Sequence, residues 1–508
     1  MIMKMYRNLT SMLLALCMVS CFDDETTTAD PSTLSEITIL EGSINSVYNI
    51  DRNETLTISP VMSQSNKEKP LSYTWEIDLQ EYSHEKDFVF VGSKLGAYNC
   101  RFIVENEDGK TFFPFKLYVN SPYEEGITIL SSDINGRPML SFMQTPADAS
   151  EKGTFTTDEL LSLNNEDIYF ASNPADIVHS DATLFIACQG GGASQDAPAI
   201  YYLNEKTLVV ENMFTVPEYS DFKPTKILMP SSLDKYVLPF YILSENGKIF
   251  NFSVSNAVVE PSPKLPYTYS QATHFDDGGG YYSMVVWDKD AKALATIYNG
   301  GYGPYYLGPE RHMTRTSPDF DKNNYFGSNK MDFVTMVSVR ATPEQIMLDG
   351  YELIVIGKAG STLKKIVLES SFWGPTDKPG EYVVLDNGGP LTAGLGATPP
   401  VNENTPAIAS KSHQVMLYAK GNTVKKWNYT QSQAITSAKT HVTVGSSTAV
   451  ITGFEMSADQ NVTYVAFYEP GQDGKNGSVW AFNTPTGEVL EKWDNICYKP
   501  VKMFYKYK

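Results

Sequence analysis

The most regular feature of the chain is the alternation of apolar and polar residues over short segments. In "ETLTISP" (Glu54–Pro60), for example, Leu56 and Ile58 alternate with polar residues, which is typical of a strand with one buried face. Tyr, Thr and Val are frequent in such segments, and turn-forming residues cluster between them. No long stretch keeps the 3.6-residue spacing of a helix. The pattern predicts an all-β protein.

Residues 36–121 carry a compact group of predicted strands. "LSYTWEI" (Leu71–Ile77) is followed by the long segment "GAYNCRFIVENEDGKTFFPFKLYVN" (Gly96–Asn120), in which "NEDG" predicts a hairpin turn. The Tyr-x-Trp strand followed by a Gly-x-Tyr strand resembles the PKD-like domains of Bacteroidetes lipoproteins. The resemblance implies a small immunoglobulin-like β-sandwich in which Trp75 fills the core, with Tyr98, Phe102 and Val104 packed around it. The alternative is that Trp75 is an exposed platform for a ligand.

After residue 122 one unit recurs: an apolar strand, a tight polar or glycine-containing turn, and a second apolar strand. It occurs seven times, at a spacing of roughly 55 residues, and repeats of this kind are typical of a β-propeller. The seven units are ITILSSDINGRPMLSFM, TLFIACQGGG…AIYYLN, YVLPFYILSENGKIFNFSV, YYSMVVWDKDAKALATIYN, YELIVIGKAGSTLKKIVLES, QVMLYAKGNTVKKWNY and TYVAFYEPGQDGKNGSVWAFN. We therefore expect residues 122–508 to form a propeller.

The two ends of this repeat region predict how the ring closes. "KPTKILM" (Lys223–Met229) precedes the third hairpin, and the similar "KPVKMFY" (Lys499–Tyr505) has no hairpin after it. The first hairpin, "GITILSSDING" (Gly126–Gly136), has no such leading strand. Pairing the two fragments would complete one blade and leave no long unpaired edge. We predict seven blades, rather than six or eight, with one blade shared between the first and last strands.

The N-terminal segment resembles the signal peptide of a bacterial lipoprotein. Lys4 and Arg7 precede the apolar run "MLLALCMV" (Met12–Val19), which is too short to span a bilayer. Cleavage after Ser20 would leave Cys21 at the new N-terminus for lipidation, which makes residues 1–20 a signal peptide and residues 21–35 a flexible tether. The alternative is a plain signal peptide with an incidental cysteine.

The residues after Cys21 resemble a second signal. "FDDE" (Phe22–Glu25) is similar to the acidic signal that exports Bacteroidetes lipoproteins to the outer face of the outer membrane. The alternative is that these acidic residues only begin a solvated linker. The resemblance implies a lipid-anchored protein of the outer membrane that faces the cell exterior.

Taken together, the lipoprotein signal, the Tyr-x-Trp strand with the following Gly-x-Tyr strand, and the hairpin repeat resemble the PKD-like family lipoproteins of Bacteroidetes. The resemblance implies an accessory surface lipoprotein of a SusC/SusD-type nutrient-uptake system. It implies no catalytic residue. We expect the propeller to bind a glycan, a peptide or a partner in an outer-membrane uptake complex.

Charge and cysteine content narrow the function further. Without Lys4 and Arg7 the chain has 38 basic and 59 acidic residues, a net charge of −21, and no segment concentrates positive charge. These features disfavour nucleic-acid binding. Cys100, Cys188 and Cys497 remain after the signal region, so they allow one disulfide at most, and we expect Cys188 to be a buried structural thiol.

Motifs for catalysis are not evident. No HExxH or G-x-S-x-G motif occurs, and none of the histidines lies at metal-binding spacing from another ligand; they are His84, His179, His274, His312, His413 and His441. "SSDINGRP" (Ser131–Pro138) lacks the glycine and tryptophan of a sialidase Asp box and is interpreted as an ordinary turn. We expect a non-enzymatic binding protein without a cofactor. The alternative is a propeller-type polysaccharide hydrolase or lyase with paired carboxylates from different blades.

Two kinds of loop supply candidate sites. "SPDFDKNN" (Ser317–Asn324) places Asp319, Asp321 and Asn323 at alternate positions, as in a calcium loop, but lacks the glycine and the bidentate glutamate; an ordinary Asp/Asn-rich loop is the alternative. "YNGGYGPYYLGPERHM" (Tyr298–Met313) and "SFWGP" (Ser371–Pro375) are rich in aromatic and turn-forming residues. We therefore expect loop aromatics to bind the ligand or partner, unless they pack on the scaffold; they are Tyr302, Tyr305, Tyr306, Phe372 and Trp373.

Overall fold

The computed structural model describes residues 34–506 except 147–150, 181, 193–195, 217, 229–239, 254–257, 263–266, 277–281, 291–292, 299–304, 307–331, 343, 346–350, 360–361, 371–381, 387–397 and 432–433. The chain divides into two compact units, one ending at Pro122 and the other beginning at Tyr123. Among the described residues, no helix is long and apolar enough to cross a membrane.

The first unit is a β-sandwich of nine strands. They are β1 (Ile37–Ile39), β2 (Val47–Asp51), β3 (Thr55–Ile58), β4 (Met62–Gln64), β5 (Ser72–Ile77), β6 (Gln80–Ser83), β7 (Phe88–Val91), β8 (Gly96–Asn106) and β9 (Gly109–Asn120). One sheet has the order β2-β9-β8-β5-β6, with β2 parallel to β9, and the pairs β1–β4 and β3–β7 form two smaller sheets. The predicted turn is confirmed, because Asn106 pairs with Gly109 at the end of the β8–β9 hairpin.

Trp75 lies at the centre of this sandwich, which confirms the prediction that it is a core residue. Its side chain is fully buried, and its ring centroid lies 4.3 Å from that of Phe102 and 4.8 Å from that of Phe88 on the opposite sheet. The indole N–H donates to the carbonyl oxygen of Glu85 at 3.0 Å, so the polar atom of this large apolar side chain is satisfied.

The second unit consists of seven blades, two of which, the fifth and the sixth, are joined into one eight-stranded sheet. The first hairpin is β10 (Gly126–Ser132) and β11 (Pro138–Gln144), followed by the short helix α1 (Leu160–Asn164). Blades two to four are β12 (Pro174–Ser180), β13 (Thr183–Cys188), β14 (Ala199–Asn204), β15 (Val210–Thr215); β16 (Pro224–Leu228), β17 (Phe240–Ser244), β18 (Ile249–Ser253), β19 (Val258–Pro261); and β20 (Tyr269–Asp276), β21 (Tyr282–Asp288), β22 (Ala293–Tyr298), β23 (Tyr305–Tyr306).

Three more blades and a final strand complete the unit. They are β24 (Asp332–Arg340), β25 (Tyr351–Ala359), β26 (Thr362–Ser370), β27 (Tyr382–Asp386); β28 (Ala407–Ser410), β29 (Val415–Lys420), β30 (Thr423–Asn428), a 3-10 turn (Ile435–Ser437), β31 (Lys439–Thr443); and β32 (Val450–Met456), β33 (Val462–Tyr468), β34 (Gly477–Asn483), β35 (Val489–Cys497), then β36 (Lys499–Lys506).

The ring closes as the sequence predicts. Strand β36 pairs antiparallel with β10 and becomes the innermost strand of the blade that contains β10 and β11. The innermost strands β36, β12, β16, β20, β24, β28 and β32 each contact the next one around the ring, and β32 contacts β36. The described residues therefore form a seven-bladed β-propeller with a shared closing blade, as predicted.

The burial of each strand in a blade depends on how much of it packs against the two neighbouring blades. All residues of the second strand β13 are buried, because both faces of a middle strand pack on adjacent blades. The outer strand β15 is largely exposed and carries polar residues such as Glu211 and Asn212. One apolar cluster joins the first and second blades through residues such as Phe142 and Tyr201, and another joins the second and third through Phe185 and Phe250.

Candidate functional site

Most of the loop residues predicted from the sequence lie outside the described part of the chain. This applies to the lipidation site and to the calcium-loop and most of the aromatic-loop candidates, namely Cys21, Asp319, Asp321, Asn323, Tyr302, Phe372 and Trp373. Their roles stay predictions.

The backbone of Tyr305 and Tyr306 differs from the prediction that these residues belong to a loop. Both form the outer strand β23, in which Tyr306 pairs with Ala295 and Tyr305 with Thr296. These two paired residues add a short outer strand to the fourth blade, although glycines and prolines flank them in the sequence. The prediction of a loop is therefore wrong for these two residues, whereas their role in binding stays untested.

The innermost strands share an irregularity that organises the central channel. In six blades the strand carries a register shift near its start, after Pro174, Pro224, Tyr269, Phe333, Ile451 or Pro500. A bulge of this kind redirects the next side chain. We call the residue two positions after that point the ring position; its occupants are Asp176, Lys226, Gln271, Thr335, Gly453 and Lys502.

Side chains at the ring position bond to the following blade. The Asp176 carboxylate accepts from the Ile227 backbone N–H at 2.7 Å, and the Gln271 amide both donates to the Met336 carbonyl at 3.0 Å and accepts from the Met336 N–H at 3.1 Å. Apart from a short parallel pairing between the ends of β24 and β28, the described innermost strands have no further strand to pair with, so these side chains satisfy part of their open edge.

Three charged ring positions lie in consecutive blades. The Lys502 ammonium donates to Asp176 Oδ1 at 2.5 Å, and the Lys226 ammonium donates to the Ala272 carbonyl at 2.8 Å. Burial and the nearby Lys502 lower the pKa of Lys226 to about 8, although Asp176 acts in the opposite direction. This part of the channel therefore has one more positive than negative group.

A second ion pair lies along the innermost strands of the fifth and seventh blades. One guanidinium nitrogen of Arg340, at the end of β24, donates to both carboxylate oxygens of Glu455 on β32 at 2.8 and 2.9 Å. Glu455 is buried, and its Oε1 also accepts from the Met456 N–H at 2.9 Å. The pair links two blades that are not adjacent in sequence.

A cavity of about 390 Å³ lies beside the closing blade, and we call it the blade-one cavity. Parts of the chain that are distant in sequence line it: the β10–β11 turn, the segment around α1, the connection into β12 and the connection into β36. The lining residues are Asp133, Arg137, Pro138, Met139, Asp158, Glu159, Leu161, Ser162, Ile168, Tyr169, Phe170 and Tyr498.

Turn hydrogen bonds and a long-range ion pair hold the polar residues that line this cavity. Asp133 Oδ1 accepts from the backbone N–H groups of Asn135 at 2.8 Å and Arg137 at 2.7 Å, which confirms an ordinary turn at this position. Asp158 is buried and pairs with Lys475 of the seventh blade at 2.7 Å, an interaction that raises the pKa of Lys475. Tyr169 is 61% exposed, so it offers an accessible aromatic surface beside this charged wall.

A second cavity, of about 480 Å³, lies between the fourth blade and the blades that follow it. Its aromatic wall is Trp287 stacked on Phe333, with ring centroids 4.7 Å apart and ring planes 13° from parallel. Lys289 of the β21–β22 turn and Glu403 of the connection into β28 also line it. Like the blade-one cavity, it lies at the end of the blades where second and third strands are joined.

The described cysteines behave as structural thiols. Cys100, Cys188 and Cys497 are free and buried, and burial raises the pKa of each, to about 12 for Cys100 and Cys497. A raised pKa suppresses the reactive thiolate. In the part of the chain that the structure describes, no group of three His, Cys, Asp or Glu residues is arranged to hold a metal ion.

Known proteins resemble this chain only in fold. No family model matches it, and no curated protein matches its sequence. A quinoprotein alcohol dehydrogenase-like protein of Bacteroides thetaiotaomicron is 14% identical, with a TM-score of 0.46 over 92% of this chain and 99% of that chain. Apo AztD of Citrobacter koseri is 9% identical, with a TM-score of 0.37 over 75% and 98%. YCF48 of Cyanidioschyzon merolae is 13% identical, with a TM-score of 0.36 over 64% and 86%. At these scores the propeller assignment rests on the strand order and ring closure described above.

Sequence reasoning missed both the blade-one cavity and the charged ring positions. The signal for the second was available, because Pro174, Pro224 and Pro500 each stand two residues before a charged side chain. The cavity has no comparable signal, since Arg137, Tyr169 and Tyr498 come together only through ring closure.

Proposed function

We propose that this protein is a lipid-anchored, non-enzymatic binding protein of the outer-membrane surface, and that its propeller binds a glycan or a peptide in the blade-one cavity. The observation that carries the proposal is the lining of that cavity. The lining combines charged residues, Arg137 and Glu159, with aromatic residues such as Tyr169, and the cavity volume suits a sugar ring or a short peptide segment.

The cellular part of the proposal rests on the sequence. The apolar run before Cys21 and the acidic residues after it support lipidation and export to the cell surface. In that location a ligand-binding propeller would serve as an accessory subunit of a SusC/SusD-type uptake system for glycans or peptides.

Binding is tested with purified protein lacking residues 1–20 against a panel of oligosaccharides and short peptides. We expect Tyr169→Ala and Arg137→Ala to weaken binding of any hit tenfold or more. Leu163→Ala is the matched control, because Leu163 is 59% exposed on α1 and does not line the cavity. If Tyr169→Ala, Arg137→Ala and the control all bind the ligand with equal affinity, the ligand binds outside this cavity.

Location is tested on intact cells with a membrane-impermeant label. We expect the wild-type protein to be labelled and to co-purify with an outer-membrane transporter from native membranes. Cys21→Ala should release it from the membrane, and unchanged surface attachment of that variant would refute the lipid anchor.

A hydrolase or lyase is the second candidate, because three acidic residues, Asp133, Asp158 and Glu159, line one cavity. Two of them have structural partners, Asp133 in its turn and Asp158 with Lys475, which leaves Glu159 as the first residue to test. Release of sugar from a polysaccharide by the wild type, lost in Glu159→Gln, would favour this candidate.

A further inference from the structure

The blade-one cavity has a buried carboxylate oxygen in its lining that the described residues leave unsatisfied. Asp158 lines the cavity, although the residue is only 1% exposed. Its Oδ1 pairs with the Lys475 ammonium at 2.7 Å, whereas its Oδ2 is buried and has no hydrogen-bond partner within the described residues. A buried charged acceptor without a donor is costly, so this oxygen favours a ligand that brings an N–H or O–H group.

A second carboxylate lies beside the first. Glu159 is exposed and lines the same cavity, and in the part of the chain that the structure describes its side chain makes no hydrogen bond or ion pair. The bond to Asp158 raises the pKa of Lys475, and charge interactions with Tyr498 and Glu159 add to this effect. Asp158, Glu159 and Tyr498 are therefore close enough together to act on a single ammonium group.

The charges at the cavity leave one negative group over. The lining has three acidic side chains and one basic one. Asp133 and Arg137 belong to one turn, and Asp158 is paired with Lys475, which reaches it from the seventh blade. Glu159 is left without an opposite charge of its own, so the cavity favours a cationic group over an anionic one.

Apolar and aromatic side chains line the rest of the cavity. Tyr169 is exposed and Tyr498 is half-buried, and the face of an aromatic ring attracts an ammonium group. Met139, Leu161 and Ile168 add apolar surface on which a side chain of the ligand can pack. This combination favours an ammonium group attached to an apolar body over a small inorganic cation.

We propose, on the basis of the function proposed above, that the blade-one cavity binds a short peptide by its amino terminus. The terminal ammonium group donates to Asp158 Oδ2 and to the Glu159 carboxylate, and the first side chain packs on the apolar lining. The Arg137 guanidinium favours a peptide over an amino sugar, because it can donate to a peptide carbonyl or to the terminal carboxylate.

The ligand is tested by calorimetric titration of the protein lacking residues 1–20 at neutral pH. The probes are leucyl-, tyrosyl- and glycyl-diglycine, each as the free tripeptide and in its N-acetylated form, together with the disaccharide of glucosamine. We expect saturable binding of at least one free tripeptide, and N-acetylation should weaken it tenfold or more because it removes the charge. Equal affinity of the free and acetylated forms, or no saturable binding of any free tripeptide up to about 10 mM, would overturn the inference.

Variants place the ammonium group. Glu159→Gln and Asp158→Asn each remove a negative charge with little change of shape, and we expect each to weaken binding of the free tripeptide tenfold or more. Glu166→Gln is the matched control, because Glu166 is exposed and is not among the lining residues. If Glu159→Gln binds as tightly as Glu166→Gln, the placement is wrong. Asp158 also pairs with Lys475, so Glu159→Gln decides the placement if Asp158→Asn fails to fold.

Failure of this inference can be told apart from failure of the proposed function. A neutral oligosaccharide whose binding depends on Tyr169 and Arg137 but not on Glu159 would keep the cavity as the binding site and overturn recognition of a peptide amino terminus. Tighter binding of the glucosamine disaccharide than of the free tripeptides would overturn the peptide as ligand. Tripeptide binding that neither Tyr169→Ala nor Arg137→Ala weakens would overturn the cavity as the site, and both proposals with it.

Discussion

Removing the cross-blade hydrogen bonds at the ring position should lower the stability of the propeller, and more so for Asp176 than for Gln271. Asp176→Ala removes the acceptor of the buried Ile227 N–H and the partner of Lys502. An unsatisfied buried N–H costs about 1–3 kcal/mol, and a hydrogen bond to a charged group contributes about 1.5–3 kcal/mol. Because Lys502 is partly exposed and water can replace its partner, its share falls to about 1 kcal/mol. We expect a loss of about 3 kcal/mol in the free energy of unfolding of the propeller.

Gln271→Ala is the matched comparison, because Gln271 occupies the same position in the fourth blade with neutral partners. Its two bonds to Met336 contribute about 0.5–1.5 kcal/mol each, so we expect a loss of about 2 kcal/mol. Asp473→Ala, at an exposed turn residue, should change stability by less than about 0.5 kcal/mol.

Urea unfolding followed by tryptophan fluorescence, together with calorimetric melting, measures all three variants. At this size a loss of 3 kcal/mol corresponds to a fall in Tm of about 4 °C. Two results would refute the reasoning: Asp176→Ala unfolding like Asp473→Ala, or Gln271→Ala losing more stability than Asp176→Ala. Either would mean that side-chain bonds across the channel edge do not hold the blades together.

Three further predictions follow from particular side chains. Trp75→Ala should lower the stability of the first unit by about 3–5 kcal/mol, measured as an earlier transition for that unit while the propeller transition stays in place. The pKa of Lys226, lowered to about 8, lies below that of an unfolded lysine, so the unfolded chain binds more protons between about pH 8 and 10.5. The stability of the wild type relative to Lys226→Met should therefore rise with pH over that window in urea titrations, and a flat difference would contradict the lowered pKa. Cys188 and Cys497 should resist alkylation at pH 7.5 in the folded protein and react fully in urea, as mass spectrometry would report; rapid labelling of the native state would contradict their burial.

The fold was accessible from the sequence because its signals are local and repeated. Each blade contains an apolar hairpin that can be recognised in the sequence. The similarity of "KPTKILM" and "KPVKMFY" was enough to predict the pairing of β36 with β10. Trp75 was placed correctly because its Tyr-x-Trp strand and the Gly-x-Tyr strand that follows resemble the strands of small β-sandwich domains, and the structure pairs these two strands as β5 and β8.

The candidate sites were less accessible, for a physical reason. Asp133 and Arg137 were correctly assigned to a turn, but nothing near them in sequence indicates that Tyr498 lies against the same cavity. Lys226 and Lys502 come near Asp176 only because ring closure places the first and third blades on either side of the second. Proximity created by ring closure leaves no periodic signal, whereas aromatic loops are conspicuous in sequence whatever their role.

The closing strand also bears on how this ring can be assembled and taken apart. Tyr505 on β36 donates to Glu125, 380 residues earlier, and closing a loop of that length costs about 5 kcal/mol of chain entropy. Until β36 arrives, β10 presents an unpaired edge that another chain could occupy. A synthetic peptide spanning 499–506 should therefore complement a chain that stops at residue 498, by strand addition in trans. At high concentration, two full-length chains could instead exchange their last strands, and the outcome would be a domain-swapped dimer.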